Sequence, residues 1–196
     1  METIMKKIDA RGLECPKPVI LIKKALEEAD QASIVVDNQV ARDNVKRFGE
    51  NNSCQVVIIE NNEGIELQLR KNIADIDVNN TQIIEEVAVL IKSNEFGQGD
   101  PKLGAILMKS FLVSLLESNK KIKTLIFMNK GVYLTTDNLE AIEILKEIEK
   151  KGASIFSCGT CLDFYELKAE LKVGQITNMY SSVDALVENG VKVISI

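Results

Sequence analysis

The sequence predicts an α/β protein of two domains: a two-layer βαβαββ sandwich over residues 1–71 and a three-layer α/β/α domain with a mainly parallel sheet over residues 83–196. Three observations carry this. Up to Lys71, short strand-like segments alternate with amphipathic helical ones; from Glu86 onward, the strand-like segments become uninterrupted apolar runs separated by long helical stretches. Between the two lie residues 72–82, with Asp75, Asp77, Asn79 and Asn80, which show little apolar periodicity and read as a linker.

In the first domain, Ile4 to Ile8 reads as a strand, and Val19, Ile22, Leu26 and Ala29 then fall on one face of a helix. Ser33 to Val36 is a short apolar strand. Asn38 can cap a second helix with the stripe Ala41, Val45 and Phe48, ended by Gly49 and Asn51-Asn52. Gln55 to Glu60 and Gly64 to Arg70 flank Asn61-Asn62-Glu63-Gly64, a hairpin turn signal, and Ile65, Leu67 and Leu69 alternate with Glu66, Gln68 and Arg70. Right-handed crossovers place both helices on one face of the sheet, giving two layers.

In the second domain, the apolar strands are Glu86 to Ile91, Thr124 to Met128, Ala153 to Phe156 and Val191 to Ile194. Such strands joined by helices mark a parallel sheet covered on both faces. Asp100-Pro101 is suited to cap and open a helix from Lys102 to Glu117. Its stripe Leu103, Ile106, Leu107, Phe111 and Leu115 is widened by Met108, Leu112 and Leu116, so the helix is apolar over more than one side, and either both sides are buried within the chain or one makes a subunit contact. In the run Lys146 to Lys151, Glu147 is expected to pair with Lys151 on a solvated face.

Composition narrows the chemistry. The chain of 196 residues has no histidine, which excludes Ser-His-Asp triads, Cys-His pairs and His-based zinc sites. The net charge is −5, and the first 71 residues hold 11 basic and 12 acidic side chains against 13 and 17 in the rest, so no basic domain points to nucleic acid. No apolar run approaches the roughly 20 residues that span a bilayer, and Met1 to Lys7 lacks a signal-peptide core. The expectation is a cytoplasmic protein with no membrane partner. Its four cysteines, Cys15, Cys54, Cys158 and Cys161, are then read as reactive, ligating or buried rather than as disulfide staples.

Cys15-Pro16-Lys17-Pro18 stands where a loop meets the first helix. With Pro16 read as N1, Cys15 falls at or beside the N-cap, where backbone donors and the helix dipole favour thiolate, lowering a cysteine from about 8.5 to about 3.5–7.5 in known cases. Lys17 adds positive field, and with no neighbouring base such a thiol suits carrying a sulfur atom better than hydrolysis. The alternative is a small hydrophobe that precedes a proline-initiated helix. Asp9-Ala10-Arg11-Gly12-Leu13-Glu14-Cys15-Pro16-Lys17-Pro18 with its apolar helix resembles the TusA/SirA family of small sulfur carriers. The resemblance covers residues 4–71 and implies the two-layer fold, with Cys15 bearing a persulfide and Arg11, Gly12, Pro16, Lys17 and Pro18 supporting it.

Cys158-Gly159-Thr160-Cys161 follows an apolar strand and precedes a helix expected to begin near Asp163, so it occupies the carboxyl rim of the sheet, where ligands bind. The loops Ser93 to Asp100 and Asn129 to Val132 share that rim if the strands are parallel. Four readings remain open: a redox dithiol, half of a Cys₄ zinc site, a sulfur- or selenium-handling pair, and packing. Zinc would need two more soft ligands, and only Cys15 and Cys54 remain, both in the other domain, so no metal is expected. Cys54 reads as a packing residue that opens a strand.

Gly97-x-Gly99-Asp100-x-x-Leu103-Gly104, Phe127-x-Asn129-x-Gly131-Val132, Ser157-Cys158-Gly159-Thr160-Cys161-Leu162-Asp163 and Val173-Gly174-x-x-Thr177-Asn178-Met179-Tyr180 resemble the DsrE-like domain of YedF-type selenium-metabolism proteins, which follows a TusA-like domain. That resemblance implies a thiol-based carrier of sulfur or selenium. Cys15 would be one site and Cys158/Cys161 the second, with Gly97, Gly99, Asn129, Gly131, Gly159, Thr160 and Asn178 around the latter. It also implies a delivering partner of the cysteine desulfurase or selenocysteine lyase type, no bound cofactor, and homo-oligomers formed through the second domain. Two other classes fit the residues: a redox-sensing interaction or regulatory module, and a dithiol reductase using Cys158 and Cys161.

Overall fold

The computed structural model describes residues 5–61, 64–72 and 86–196. The chain divides into two compact units, residues 1–81 and 82–196. The expected start of the first strand at Ile4, the hairpin residues 62–63 and all of the expected linker but Asn72 lie outside the described residues.

The first unit runs β1 (Lys6–Asp9), α1 (Lys17–Glu28), β2 (Gln31–Val36), α2 (Gln39–Asn51), β3 (Cys54–Asn61) and β4 (Gly64–Lys71). The sheet order is β1-β2-β4-β3, with β1 and β2 parallel and the other two pairings antiparallel. The register of β2 on β4 sets Ala32, Ile34 and Val36 opposite Leu69, Leu67 and Ile65. These residues form the face that meets Ile22, Ala25 and Leu26 of α1 and Ala41 and Val45 of α2. The even positions of β2 and the odd positions of β4 therefore face the core, as period-2 alternation demands.

Two local expectations are corrected. Pro16 is the N-cap of α1 rather than its first helical residue, and Pro18 stands at N2. The change costs the helix nothing. Pro16 still offers its carbonyl to the Ile20 N–H, and an N–H at N2 would have no intrahelical partner. Gly49 does not end α2 but lies inside it. A Cβ there would stand 2.6 Å from Val56 and 2.8 Å from Leu69, so the glycine lets the helix press onto the sheet.

The second unit runs β5 (Glu86–Ile91), α3 (Pro101–Leu116), β6 (Lys121–Phe127), a 3₁₀ turn (Asn129–Val132) leading into α4 (Tyr133–Thr136), α5 (Leu139–Lys150), β7 (Ser154–Cys158), α6 (Gly159–Phe164), a 3₁₀ turn (Lys168–Glu170), β8 (Gln175–Thr177), α7 (Met179–Leu186) and β9 (Val191–Ser195). Its five-stranded sheet is parallel throughout, in the order β8-β7-β6-β5-β9. Progress from β5 to β8 puts α3 and α5 on one face, and the long return from β8 to β9 reverses direction, so a right-handed crossover carries α7 over the other face. The core beneath α3 and α5 is built from Val89, Ile91, Leu125, Phe127 and Ile155 against Met108, Leu112, Ile142 and Leu145.

Several boundaries move. β6 begins at Lys121, because Lys121 and Lys123 alternate with apolar residues at its start and both bond Glu86. β7 extends through Cys158. The three-residue β8 is too short to show a period. Asp100 caps α3 as expected, accepting from the N–H groups of Lys102 and Leu103. On α3 the buried residues are Gly104, Met108, Leu112 and Leu115, whereas Leu103, Ile106 and Leu107 are exposed, so the expected stripe is turned about a quarter-turn from the face that packs. Glu147 bonds Lys150 rather than Lys151, whose ammonium donates instead to the Leu116 carbonyl. Among the described residues, no helix is long and apolar enough to cross a membrane.

Candidate functional site

In the first unit the loop from Ala10 to Pro16 leaves the carboxyl end of β1, and its shape is fixed by charge. Asp9 accepts from the Arg11 backbone N–H at 3.1 Å and from its guanidinium at 2.9 and 2.6 Å, which holds the Asp9 carboxyl down to about 2. Gly12, with φ of 71°, donates its N–H to Asp37 Oδ2 at 2.7 Å, while the Asn38 carboxamide donates to Oδ1 at 2.9 Å. Together these bonds lower the Asp37 carboxyl, the Gly12 N–H first. The left-handed backbone at Gly12 is what lets this N–H turn toward the end of β2.

That loop presents Cys15 to solvent. Its Sγ receives the Asn44 carboxamide of α2 at 3.8 Å. The first turn of α1 offers fewer donors than expected, since the Lys17 N–H bonds Glu14 O at 3.0 Å and Pro18 has none. Lys17 is exposed at N1. The thiol is thus an accessible nucleophile, contacted by the Asn44 amide and carried on a loop braced by two carboxylates.

In the second unit, Cys158 ends β7 and caps α6, so the helix opens at Gly159 and not near Asp163, and both cysteines belong to the strand-to-helix junction. Cys158 is 4% exposed and Cys161 is half-buried. The Asn129 backbone N–H points at Cys161 Sγ from 3.1 Å. Asn129 has φ of 50°, and its side-chain oxygen accepts from the Tyr165 hydroxyl at 2.6 Å. Tyr165 in turn packs its ring, tilted, against Tyr133 at 5.2 Å between centroids and donates its backbone N–H to the Cys161 carbonyl. Burial pushes the Cys161 thiol up, the Asn129 N–H opposes this, and hydrogen bonding with the neighbouring Cys158 thiol raises it further. Gly131 allows the 3₁₀ turn to pass close to β5, where a Cβ would stand 2.4 Å from the Ile91 carbonyl oxygen.

A family model, "Sulfurtransferase TusA", matches residues 6–71. The same stretch is 46% identical over 66 residues to the "Putative sulfur carrier protein" of Methanocaldococcus jannaschii, covering 32% of this chain and 88% of that protein. The chain belongs to the TusA family. A crystal structure of the SirA-like protein from Desulfitobacterium hafniense is 37% identical, with 34% of this chain and 96% of that one covered and a TM-score of 0.32. The YchN protein from E. coli is 14% identical, with 56% and 99% covered and a TM-score of 0.42.

Within the TusA-matched unit, the expected residues Arg11, Gly12, Cys15, Pro16, Lys17 and Pro18 form one loop and the following helix start. Sequence reasoning missed Asp37 and Asn44, which reach this loop from the end of β2 and from α2. In the second unit Asn129, Gly131, Cys158, Gly159 and Cys161 come together. At Gly159 a Cβ would stand 3.0 Å from Ile176. Thr160 is exposed. Gly97 and Gly99 lie in the loop after β5, where a Cβ would meet nothing within 4 Å. Asn178 serves as the N-cap of α7, accepting from the Ser181 N–H at 2.9 Å. Tyr165 was also missed. Its position four residues after Cys161 on a short helix was the available signal. Cys54 is buried, and burial raises its thiol, as a packing residue requires.

Proposed function

We propose that the protein is a cytoplasmic, thiol-based carrier or transferase for sulfur or selenium, with Cys15 carrying the chalcogen as a persulfide or selenopersulfide and Cys158/Cys161 as a second thiol site. The observation that carries this reading is the TusA match over residues 6–71 together with the exposure of Cys15 on a braced loop. The selenium setting and the DsrE-like character of the second unit rest on its motifs, as does self-association through that unit. A delivering enzyme of the cysteine desulfurase or selenocysteine lyase type would transfer its terminal chalcogen to the Cys15 sulfur, which needs no base beyond the thiolate itself.

The test is intact mass after incubation with such an enzyme and its amino-acid substrate. Uptake of one sulfur or one selenium atom, lost in Cys15→Ser, supports the carrier. A Cys15→Ser chain that loads as well as the parent places the chemistry elsewhere, and a chain that never gains mass is an interaction module.

A further inference from the structure

The two cysteines of the second unit differ in a way that assigns them different tasks. Cys161 is half-buried and reachable, with its sulfur facing the Asn129 N–H, whereas Cys158 is 4% exposed and lies behind it. Cys158 is the N-cap of α6 and Cys161 its third residue, so the first turn of the helix brings the two thiols together, and each thiol acts on the other. A large donor can therefore meet Cys161 and not Cys158, yet Cys158 stands against the Cys161 sulfur itself.

We infer that this pair releases sulfane sulfur reductively: Cys161 accepts the sulfur from a persulfide donor, and Cys158 then expels it as hydrosulfide by closing a Cys158–Cys161 disulfide. This extends the second thiol site proposed above and rests on that reading. In the first step the Cys161 thiolate attacks the terminal sulfur of a donor R–S–SH. The donor S–S bond breaks, and R–S⁻ leaves. In the second step the Cys158 thiolate attacks Cys161 Sγ, and the bond from Sγ to the outer sulfur breaks with its electron pair. The outer sulfur leaves as HS⁻ with the proton of the persulfide. The two cysteine sulfurs are oxidised to a disulfide by two electrons, and the sulfane sulfur is reduced to sulfide by the same two. A thiol reductant resets the pair.

The geometry favours attack on the inner sulfur over onward transfer of the outer one. Cys158 is already adjacent to Sγ, and the Asn129 N–H on Sγ draws electron density from the atom under attack. A partner thiol that could take the outer sulfur would have to enter from the solvent side. Asn129 is itself held by the Tyr165 hydroxyl, so the donor does not drift from the sulfur.

The test uses the full chain carrying Cys15→Ser, fully reduced and mixed with glutathione persulfide. Sulfide is measured over time, and the tryptic peptide Gly152–Lys168 is weighed. The expected result is one sulfide per chain above the background of the Cys158→Ser/Cys161→Ser double variant, with the peptide lighter by two hydrogens. Cys158→Ser and Cys158→Ala should each keep an added sulfur on Cys161 and release sulfide only at background rate. Cys161→Ser should gain no sulfur. The inference is overturned if either Cys158 variant releases sulfide as fast as the parent, or if the parent holds its added sulfur without forming the disulfide. Those outcomes leave the second thiol site standing, whereas no sulfur uptake in any variant removes that site and the inference with it.

Discussion

Gly131→Ala is expected to unseat the proposed second thiol site without touching either cysteine. The added Cβ would stand 2.4 Å from the Ile91 carbonyl oxygen and 3.1 Å from its carbon. Both are backbone atoms of a central strand whose neighbours β6 and β9 hold it on each side, so the 3₁₀ turn must yield instead. Relief to ordinary contact requires a shift approaching 1 Å, and strain of this kind in a packed site costs about 1–3 kcal/mol. For a unit of this size that lowers the unfolding midpoint by roughly 4–15 °C. The same shift carries Asn129 away from Cys161, since only two positions separate Asn129 from Gly131. Thermal unfolding and iodoacetamide labelling of Cys161 read the two effects. Gly99→Ala is the control, because a Cβ there meets nothing within 4 Å, and it should stay within about 0.5 kcal/mol of the parent. If Gly131→Ala melts with the parent and labels Cys161 at the parent rate, the close approach to β5 does not position this site.

Three further outcomes are expected. Arg11→Ala should return the Asp9 carboxyl from about 2 toward its ordinary value. Because the folded value is depressed, the linked stability is present above about pH 4 and lost as pH falls through 2, and the variant should lose that acid dependence when followed by carboxyl NMR. Asn44→Ala should slow alkylation of Cys15 at neutral pH by a few-fold, since it deletes the amide that faces the sulfur at 3.8 Å, whereas an unchanged rate would mean that the contact does not act on the thiol. Self-association through the exposed Leu103, Ile106 and Leu107 face of α3 predicts that the full chain sediments as a dimer or larger at micromolar concentration and that Ile106→Glu reduces it to a monomer. A parent chain that is already monomeric refutes it.

The element order and the parallel character of the second sheet were legible because they depend on patterns repeated over many residues. Ile65, Leu67 and Leu69 alternate against β2, and the apolar runs Val87 to Ile91 and Leu125 to Phe127 leave no polar face. Short features were not legible. The three residues of β8 carry no period, and α6 opens with Gly-Thr-Cys, which has no helix signature. Asp37 and Asn44 could not be tied to Cys15, because their contacts depend on how β2 and α2 pass the end of β1, which is a property of the crossover and not of any local spacing. Which side of α3 packs inward is not legible for a related reason. A helix apolar on two sides gives no sequence signal for which side packs, and it was Gly104, the small residue that lets Glu95 approach, that marked the buried one.

The two proposed thiol sites each lie beyond the carboxyl end of a strand in its own sheet, but their sulfurs have opposite surroundings. At Cys15 one N–H of the first helical turn is spent on Glu14, another is removed by Pro18, and the thiol is open to solvent. Such a sulfur is held in place by its loop, and the loop is held by Asp9 and Asp37, so exchange with an incoming protein meets little steric barrier. At Cys161 a backbone N–H is aimed at the sulfur, a second thiol stands behind it, and burial disfavours the thiolate. An exposed thiol suits handing a chalcogen on. A half-buried thiol with a resolving partner suits ending the transfer. The proposed release at Cys161 then makes a prediction of its own: sulfur loaded on Cys161 should leave as sulfide and yield no persulfide on Cys15, because closure of the Cys158–Cys161 disulfide consumes it first.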